Sequence, residues 1–229
     1  MTRIGFICSG GGSVVSSAFS LLYYAGYEVD AVVVTDRACL AESVAREMGL
    51  RHRRIEYTSR DEFSQSTAAW LNDECEVDWI CLLFQRLVSS SLFERGTCVN
   101  IHPSLLPSFP GLKPLQQARN SGAYSFGATA HLVDESIDGG PILAQVAATL
   151  SPKLDLETMK RISFAQKVYL LLVLTEQMTQ LTRRGRVLLA SPSQIWSNVS
   201  HPIIDSTLSE AFSHFVHSEG IPWEPRIQP

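Results

Sequence analysis

Ile4-Gly5-Phe6-Ile7-Cys8, running into Ser9-Gly10-Gly11-Gly12-Ser13, is the stretch that decides the fold class. An uncharged run that ends in three consecutive glycines reads as a buried strand breaking into a tight turn. Beyond it Val14, Ala18, Leu21 and Leu22 recur at helical spacing, so strand, glycine loop and helix open a βαβ unit. The next run, Tyr27 to Thr35, carries Val29, Ala31, Val32, Val33 and Val34 without strict alternation, the pattern of a parallel strand covered on both faces.

Working outward, spacing predicts a helix over 40–50 closed by Gly49, a strand over 53–57, and a helix over 61–75 with Thr58, Ser59 and Asp61 as capping residues. Strands follow over 77–83 and 97–101. Such alternation implies an α/β fold: a Rossmann-like, open, mostly parallel twisted sheet with helices on both faces. After residue 110 the pattern changes to a helix over 114–122, then strands over 126–133 and 141–146 joined by the acidic turn Asp134 to Gly140. These two pair as a hairpin, making the sheet mixed at one edge. A long amphipathic helix over 155–184, ended by Gly185, completes a domain spanning residues 1–198. Residues 199–229 form an extension, helical over 205–217 and frayed from Ile221 to Pro229.

With 229 residues, 45% of them hydrophobic, the chain can bury one sizeable core. A net charge of −4 argues against a general nucleic-acid binder, and the basic cluster Arg51-His52-Arg53-Arg54 reads as a solvated turn between a helix and a strand. Five scattered cysteines, odd in number and without a C-x-x-C pair, read as buried free thiols in a reducing compartment. Gly5 arrives too early for a secretory segment, and the longest apolar run, Val168 to Leu174, is far short of the ~20 residues that span a bilayer. The expectation is a cytoplasmic protein with neither membrane nor nucleic acid as partner, monomeric or homodimeric. His214 and His217 lack a third ligand and read as an exposed helix face, so no metal is expected.

Two places carry chemistry. Ser9 to Ser13 offers bare backbone amides at a helix N-terminus, which suits a phosphate or carboxylate, although a tight turn with no ligand fits equally. It is neither G-x-G-x-x-G nor a P-loop, since Val14 and Val15 follow and no lysine is present. Asn100-Ile101-His102 begins at the carboxyl end of a strand, where open α/β sheets place ligands. By itself an N-x-H tripeptide is weak, because a strand-end asparagine can cap a loop and a lone histidine is more often structural.

The longer stretch Asn100-Ile101-His102-Pro103-Ser104-Leu105-Leu106-Pro107, with Gly111 after a short gap, resembles the folate-dependent formyltransferases, most closely the branch that formylates glycinamide ribonucleotide. That family's pattern is N-x-H-x-S-L-L-P, then a second signature of a histidine followed by D-x-x-x-D-G-G-P. His131, Asp134, Asp138, Gly139, Gly140 and Pro141 match it, in the right order and separation. The resemblance covers residue 3 to about 198. It implies transfer of a formyl group from 10-formyltetrahydrofolate, as co-substrate, to the amine of a small metabolite. It also implies a folate pocket lined by Gln85, Arg86, Leu87 and Val88 with Asp134 and Ile137, and a substrate-phosphate seat at Gly10, Gly11, Gly12 and Ser13 with Arg60.

Chemistry accounts for three residues independently. Formyl transfer passes through an anionic tetrahedral adduct and expels a nitrogen that must be protonated. A carboxamide and an imidazolium can donate to the oxyanion, and a carboxylate can orient the imidazole and relay the amine's proton. Asn100 and His102 are therefore assigned to oxyanion support, His102 also to proton delivery, and Asp138 to proton relay and histidine orientation. Ser104 holds the His102 loop and lacks a base at any spacing that would make it a nucleophile. His131 either bridges to the acidic turn or is a buried structural histidine.

One departure stands out. Where the ribonucleotide enzymes carry a glutamine and a glutamate on the long C-terminal helix, alignment on Tyr169 puts Ile162 and Ala165, with Gln166 and Lys167 as the nearest polar residues. An acceptor other than glycinamide ribonucleotide, such as an amino sugar or an N-hydroxylated amino acid, remains open. So do a formyltetrahydrofolate hydrolase and a non-catalytic folate- or nucleotide-binding module.

Overall fold

The computed structural model describes residues 1–151, 154–183 and 203–223. Seven strands form one sheet in the order β3-β2-β1-β4-β5-β6-β7. β1 (Thr2–Cys8), β2 (Val29–Thr35), β3 (Arg51–Arg54), β4 (Trp79–Leu83) and β5 (Cys98–His102) run parallel. β6 (Ser125–Leu132) and β7 (Ile142–Thr149) are antiparallel, as the hairpin reading requires. The chain first winds outward from β1 to β3, then returns to place β4 on the other side of β1. That reversal makes the β1/β4 boundary a topological switch point, where loops leaving neighbouring strands diverge and open a crevice.

Helices cover both faces. α1 (Ser13–Tyr24), α6 (Leu156–Arg183) and α7 (Ser206–Ser218) contribute Ala18, Phe19, Leu22, Val168, Leu172, Leu208 and Phe212 to a core that includes Phe6, Val33, Cys81, Val99 and Ile101. On the opposite face α3 (Arg60–Ala68) and α4 (Ser90–Phe93) bury Phe63, Ala68 and Leu92 against Ile7, Val34, Ile80 and Cys98. α2 (Leu40–Glu47) and α5 (Pro114–Asn120) complete the layers. Because side chains alternate along a strand, this assignment fixes β5: Val99 and Ile101 face α6, so Asn100 and His102 project from the other face beside Cys98.

Several expectations need correction. Arg51 to Arg54 is not a turn but β3, the sheet's edge strand, with Arg53 paired to Glu74 and Arg54 to Glu42. The strand expected over 53–57 therefore lies earlier. α3 is α-helical only to Ala68 and continues as a π-helix over Ala69–Glu74, while Ser59 is its cap, accepting from the Glu62 N–H. α4 gave no periodic signal. α7 matches the expected terminal helix and packs into the main core, with Ile221 buried and Trp223 against Tyr169 and Phe212. Gly185 and the last six residues lie outside the described residues. The thiols of Cys8 and Cys98 are buried deeply enough that desolvation pushes both up to about 12, the state of an inert core cysteine. Among the described residues, no helix is long and apolar enough to cross a membrane, and no group of three His, Cys, Asp or Glu is arranged to hold a metal ion.

Candidate active site

The register of the β5–β6 pair assembles the polar cluster. Asn100 lies opposite His131 and His102 opposite Thr129, so all four project from the same face, and the acidic turn folds over them. Asp138 reaches in from that turn at φ 51°, a left-handed conformation that non-glycine residues seldom adopt. Its Oδ2 accepts from the Gly111 N–H at 2.8 Å and faces His102 Nδ1 at 3.3 Å. Its Oδ1 accepts from Asn100 Nδ2 at 3.2 Å and lies 3.6 Å from His131 Nε2. Burial pushes this carboxyl up, but the His131 contact, the Gly111 N–H and the charge of His102 together hold it below the usual carboxylate range. Asp138 is thus a fixed anion and a weak base, better suited to orienting His102 than to retaining a proton.

Both ring nitrogens of His102 face acceptors, Nδ1 the Asp138 carboxylate and Nε2 the Phe109 carbonyl at 3.1 Å. Only the imidazolium donates to both at once. His131 Nδ1 lies 2.8 Å from the Leu132 carbonyl and donates to it, while Nε2 sits 3.1 Å from Asn100 Nδ2 and faces Asp138. The Asn100 amide group therefore bonds His131 and Asp138 simultaneously, and its orientation is set by both.

The loop after β5 is pinned in a way hydropathy does not reveal. Thr129 Oγ1 donates to the Ser104 carbonyl at 2.7 Å and accepts from the Leu106 N–H at 3.0 Å. Gln145 Nε2 donates to Leu106 O and to Thr129 Oγ1, both at 2.9 Å. Ser104 Oγ donates to Ser108 O at 2.7 Å, consistent with a loop-holding role. Thr129 and Gln145 were missed in the sequence. Thr129 lies two residues before His131 and Gln145 four after Pro141, and neither residue type is distinctive.

The glycine loop leaves β1 at the same edge. Gly12 has φ 72°, and a Cβ there would come within 2.9 Å of Ala41 Cα, so this position requires glycine. Gly10 and Gly11 face open space, and no side chain caps the N-terminus of α1, which leaves room for an anion. Arg60 stands exposed at the start of α3, beyond the end of β3 and on the same sheet edge, with only a loose 3.9 Å contact to Asp61.

The model for the family described as formyl transferase matches residues 2–174. The chain belongs to that family. Phosphoribosylglycinamide formyltransferase of Mycobacterium tuberculosis (strain H37Rv) is 34% identical over 164 residues, 69% of this chain and 75% of that one. The Bacillus subtilis protein of the same name is 39% identical over 108 residues, 46% of this chain and 55% of its own length. The trifunctional purine biosynthetic protein adenosine-3 of Drosophila pseudoobscura is 32% identical over 177 residues, which cover 72% of this chain and 13% of that longer protein. The match thus spans less than two thirds of these last two relatives. Among solved structures, glycinamide ribonucleotide transformylase 1 from Symbiobacterium toebii superposes with a TM-score of 0.72 at 29% identity, covering 83% of this chain and 92% of that one.

In this member of the family the segment expected to line a folate pocket leaves β4 beside the cluster. Gln85, Arg86 and Leu87 are exposed, whereas Val88 is largely buried in the second core. Asp134 accepts from the Ser136 N–H and hydroxyl within its own turn, and Ile137 is exposed at the tip. The two departing positions of α6 are both apolar and buried, Ile162 at 4% and Ala165 at 0% exposure. Next to them Gln166 is wholly buried, with no hydrogen-bond partner on either carboxamide atom among the described residues.

Proposed function

We propose that this protein transfers the formyl group of 10-formyltetrahydrofolate to the primary amine of a small metabolite, glycinamide ribonucleotide being the leading acceptor. The observation that carries the reading is the single fixed carboxylate, Asp138, joining His102, Asn100 and the Gly111 amide on one face of β5. The named relatives supply the acceptor, and the glycine loop with Arg60 fits its phosphate.

In the mechanism, Asp138 holds His102 with Nδ1 facing the carboxylate, which sets the orientation of the ring. A protonated His102 stabilises negative charge developing on the formyl oxygen and then protonates the departing folate nitrogen. Asn100 supplies a second donor once one of its two present partners yields to the oxyanion. Proton removal from the attacking amine passes by way of water toward Asp138, whose depressed basicity makes it a transit point. The donor binds against Gln85 to Leu87 and under the Asp134–Ile137 tip. The acceptor enters past the glycine loop.

A second reading, in which the acceptor is a different amine, is favoured by Ile162 and Ala165, because their burial removes polar contacts from α6. Mixing the protein with 10-formyltetrahydrofolate and following folate absorbance, with glycinamide ribonucleotide, with an amine panel and with no amine, separates these readings. Turnover only with the ribonucleotide supports the first, and turnover only with another amine supports the second. Turnover without amine indicates a hydrolase, and none anywhere overturns catalysis.

A further inference from the structure

The two margins of the sheet are guarded differently. β3, at one margin, is the short run Arg51-His52-Arg53-Arg54, and a short charged edge discourages one sheet from adding to another. β7, at the other, is the longer run Ile142-Leu143-Ala144-Gln145-Val146-Ala147-Ala148-Thr149, without charge, proline or glycine. An uncharged edge of that length is a template for strand addition.

The ladder shows which backbone groups of β7 are free. The Leu150 N–H donates to the Tyr124 carbonyl at 2.8 Å, one residue beyond the Ser125–Thr149 pair. Hydrogen-bonded pairs alternate along an antiparallel ladder, so Ala148, Val146 and Ala144 are the residues that bond Phe126, Ala128 and Ala130. Gln145, Ala147 and Thr149 therefore turn their N–H and C=O groups to the outer edge. Among the described residues nothing bonds those groups, and Gln145 and Thr149 are exposed with Ala147 half-buried.

This edge is complementary to itself. A two-fold axis at Ala147 sets Ala147 against Ala147 of a second copy and Gln145 against its Thr149. All three are outward-bonding positions, so each N–H and each C=O finds a partner. Gln145 Nε2 is already committed to Leu106 O and Thr129 Oγ1, which leaves the carboxamide oxygen to accept from the Thr149 hydroxyl across the seam. With no charge on the strand, identical copies meet without like-charge repulsion. The ends match as well. Tyr124, beside Leu150, is 89% exposed and Ile142, at the other end, is 38% exposed; antiparallel pairing brings the Tyr124 end of one copy to the Ile142 end of the other.

We propose that the outer edge of β7 is an interface for a second copy of this chain, paired antiparallel about Ala147 so that the two sheets become one. Backbone pairing sets the register, and Tyr124 and Ile142 supply apolar area. The interface is independent of which amine the site formylates. Gln145 nevertheless ties the seam to the loop that carries His102, because its backbone lies on the edge and its side chain holds Leu106.

Sedimentation equilibrium of the full chain across a concentration series tests this, together with hydrogen exchange on the same samples. The parent reaches twice the chain mass, and the amides of Gln145, Ala147 and Thr149 exchange slowly at the concentrated end and quickly on dilution. Ala147→Pro removes an N–H that the folded chain itself does not use, and weakens association by about a hundredfold or more. Ala147→Lys and Ala147→Glu each put like charges on the axis and are monomeric alone, while their mixture regains the dimer. A parent that is still monomeric at about 100 μM overturns the proposal. So does a dimer that withstands Ala147→Pro and Ala147→Lys, or whose β7 amides exchange equally at every concentration, because it is joined elsewhere. Failure of the Lys and Glu variants to pair with each other overturns the axis at Ala147.

Discussion

Replacing Asp138 with asparagine removes one charge while preserving shape and backbone. The residue sits at φ 51°, where asparagine is as well tolerated as aspartate, so the turn keeps its path. The carboxylate meets donors on both oxygens: Gly111 N–H and His102 Nδ1 at Oδ2, Asn100 Nδ2 at Oδ1. An asparagine has one acceptor oxygen and one NH2 group. Whichever way the amide turns, its NH2 confronts another donor on one side. About two hydrogen bonds to a charged group are lost or weakened, at ~1.5–3 kcal/mol each, or ~3–6 kcal/mol together. Because His102 must be oriented and charged in the transition state, that loss corresponds to a ~10²–10⁴-fold fall in kcat. Steady-state turnover reads kcat, and calorimetry with the donor reads binding, which should change by no more than about threefold because the donor rests against other residues. A variant that keeps kcat within about tenfold of the parent refutes the role given to Asp138.

Other outcomes follow from the same geometry. Glu42 is held at about 2 by hydrogen bonds from Arg54 and Thr35, against an ordinary 4.5. Its folded value is depressed, so its stabilisation, about 3 kcal/mol, is complete above the unfolded value and lost as pH falls from 4.5 toward 2. Urea midpoints measured across that window should fall steeply in the parent and more gently in Glu42→Gln; equal slopes would remove the linkage. Gly12→Ala places a Cβ 2.9 Å from Ala41 Cα at φ 72°, and should lower the thermal midpoint and raise KM for the acceptor, whereas Gly10→Ala, facing open space, should lower neither stability nor folding yield. Thr129→Val strands the buried Leu106 N–H and is expected to cost ~2–3 kcal/mol by chemical denaturation, with kcat falling as the His102 loop loosens.

Most of the sheet was legible because its central strands are apolar on both faces and its loops are marked by glycine and proline. β3 was not, because Arg51 to Arg54 carries no hydrophobic signal. It becomes a strand by pairing with β2, and Arg53 and Arg54 pair with Glu74 of the π-helix and Glu42 of α2. The polar cluster around Asp138 was readable as two motifs, yet its convergence depends on the β5–β6 register, which no single-chain pattern specifies. Thr129 and Gln145 escaped notice for a common reason. Each acts through partners 16 or more residues away, the Gln145–Thr129 bond being the shortest of these links, and only the folded topology brings the partners together. α7 illustrates the opposite case: its helical period was clear, but that it would complete the core beside α1 and α6 followed only from the packing of Leu208, Phe212 and Val216.

The central claim is that this chain moves an intact formyl group onto an amine. Incubation with 10-[13C]formyltetrahydrofolate and glycinamide ribonucleotide, followed by mass spectrometry of the products, tests it directly. The account predicts one labelled formyl on the acceptor amine for each tetrahydrofolate released, with the same product accumulating at least about a hundredfold more slowly from Asp138→Asn. Label recovered as free formate, or none released by the parent protein, contradicts it.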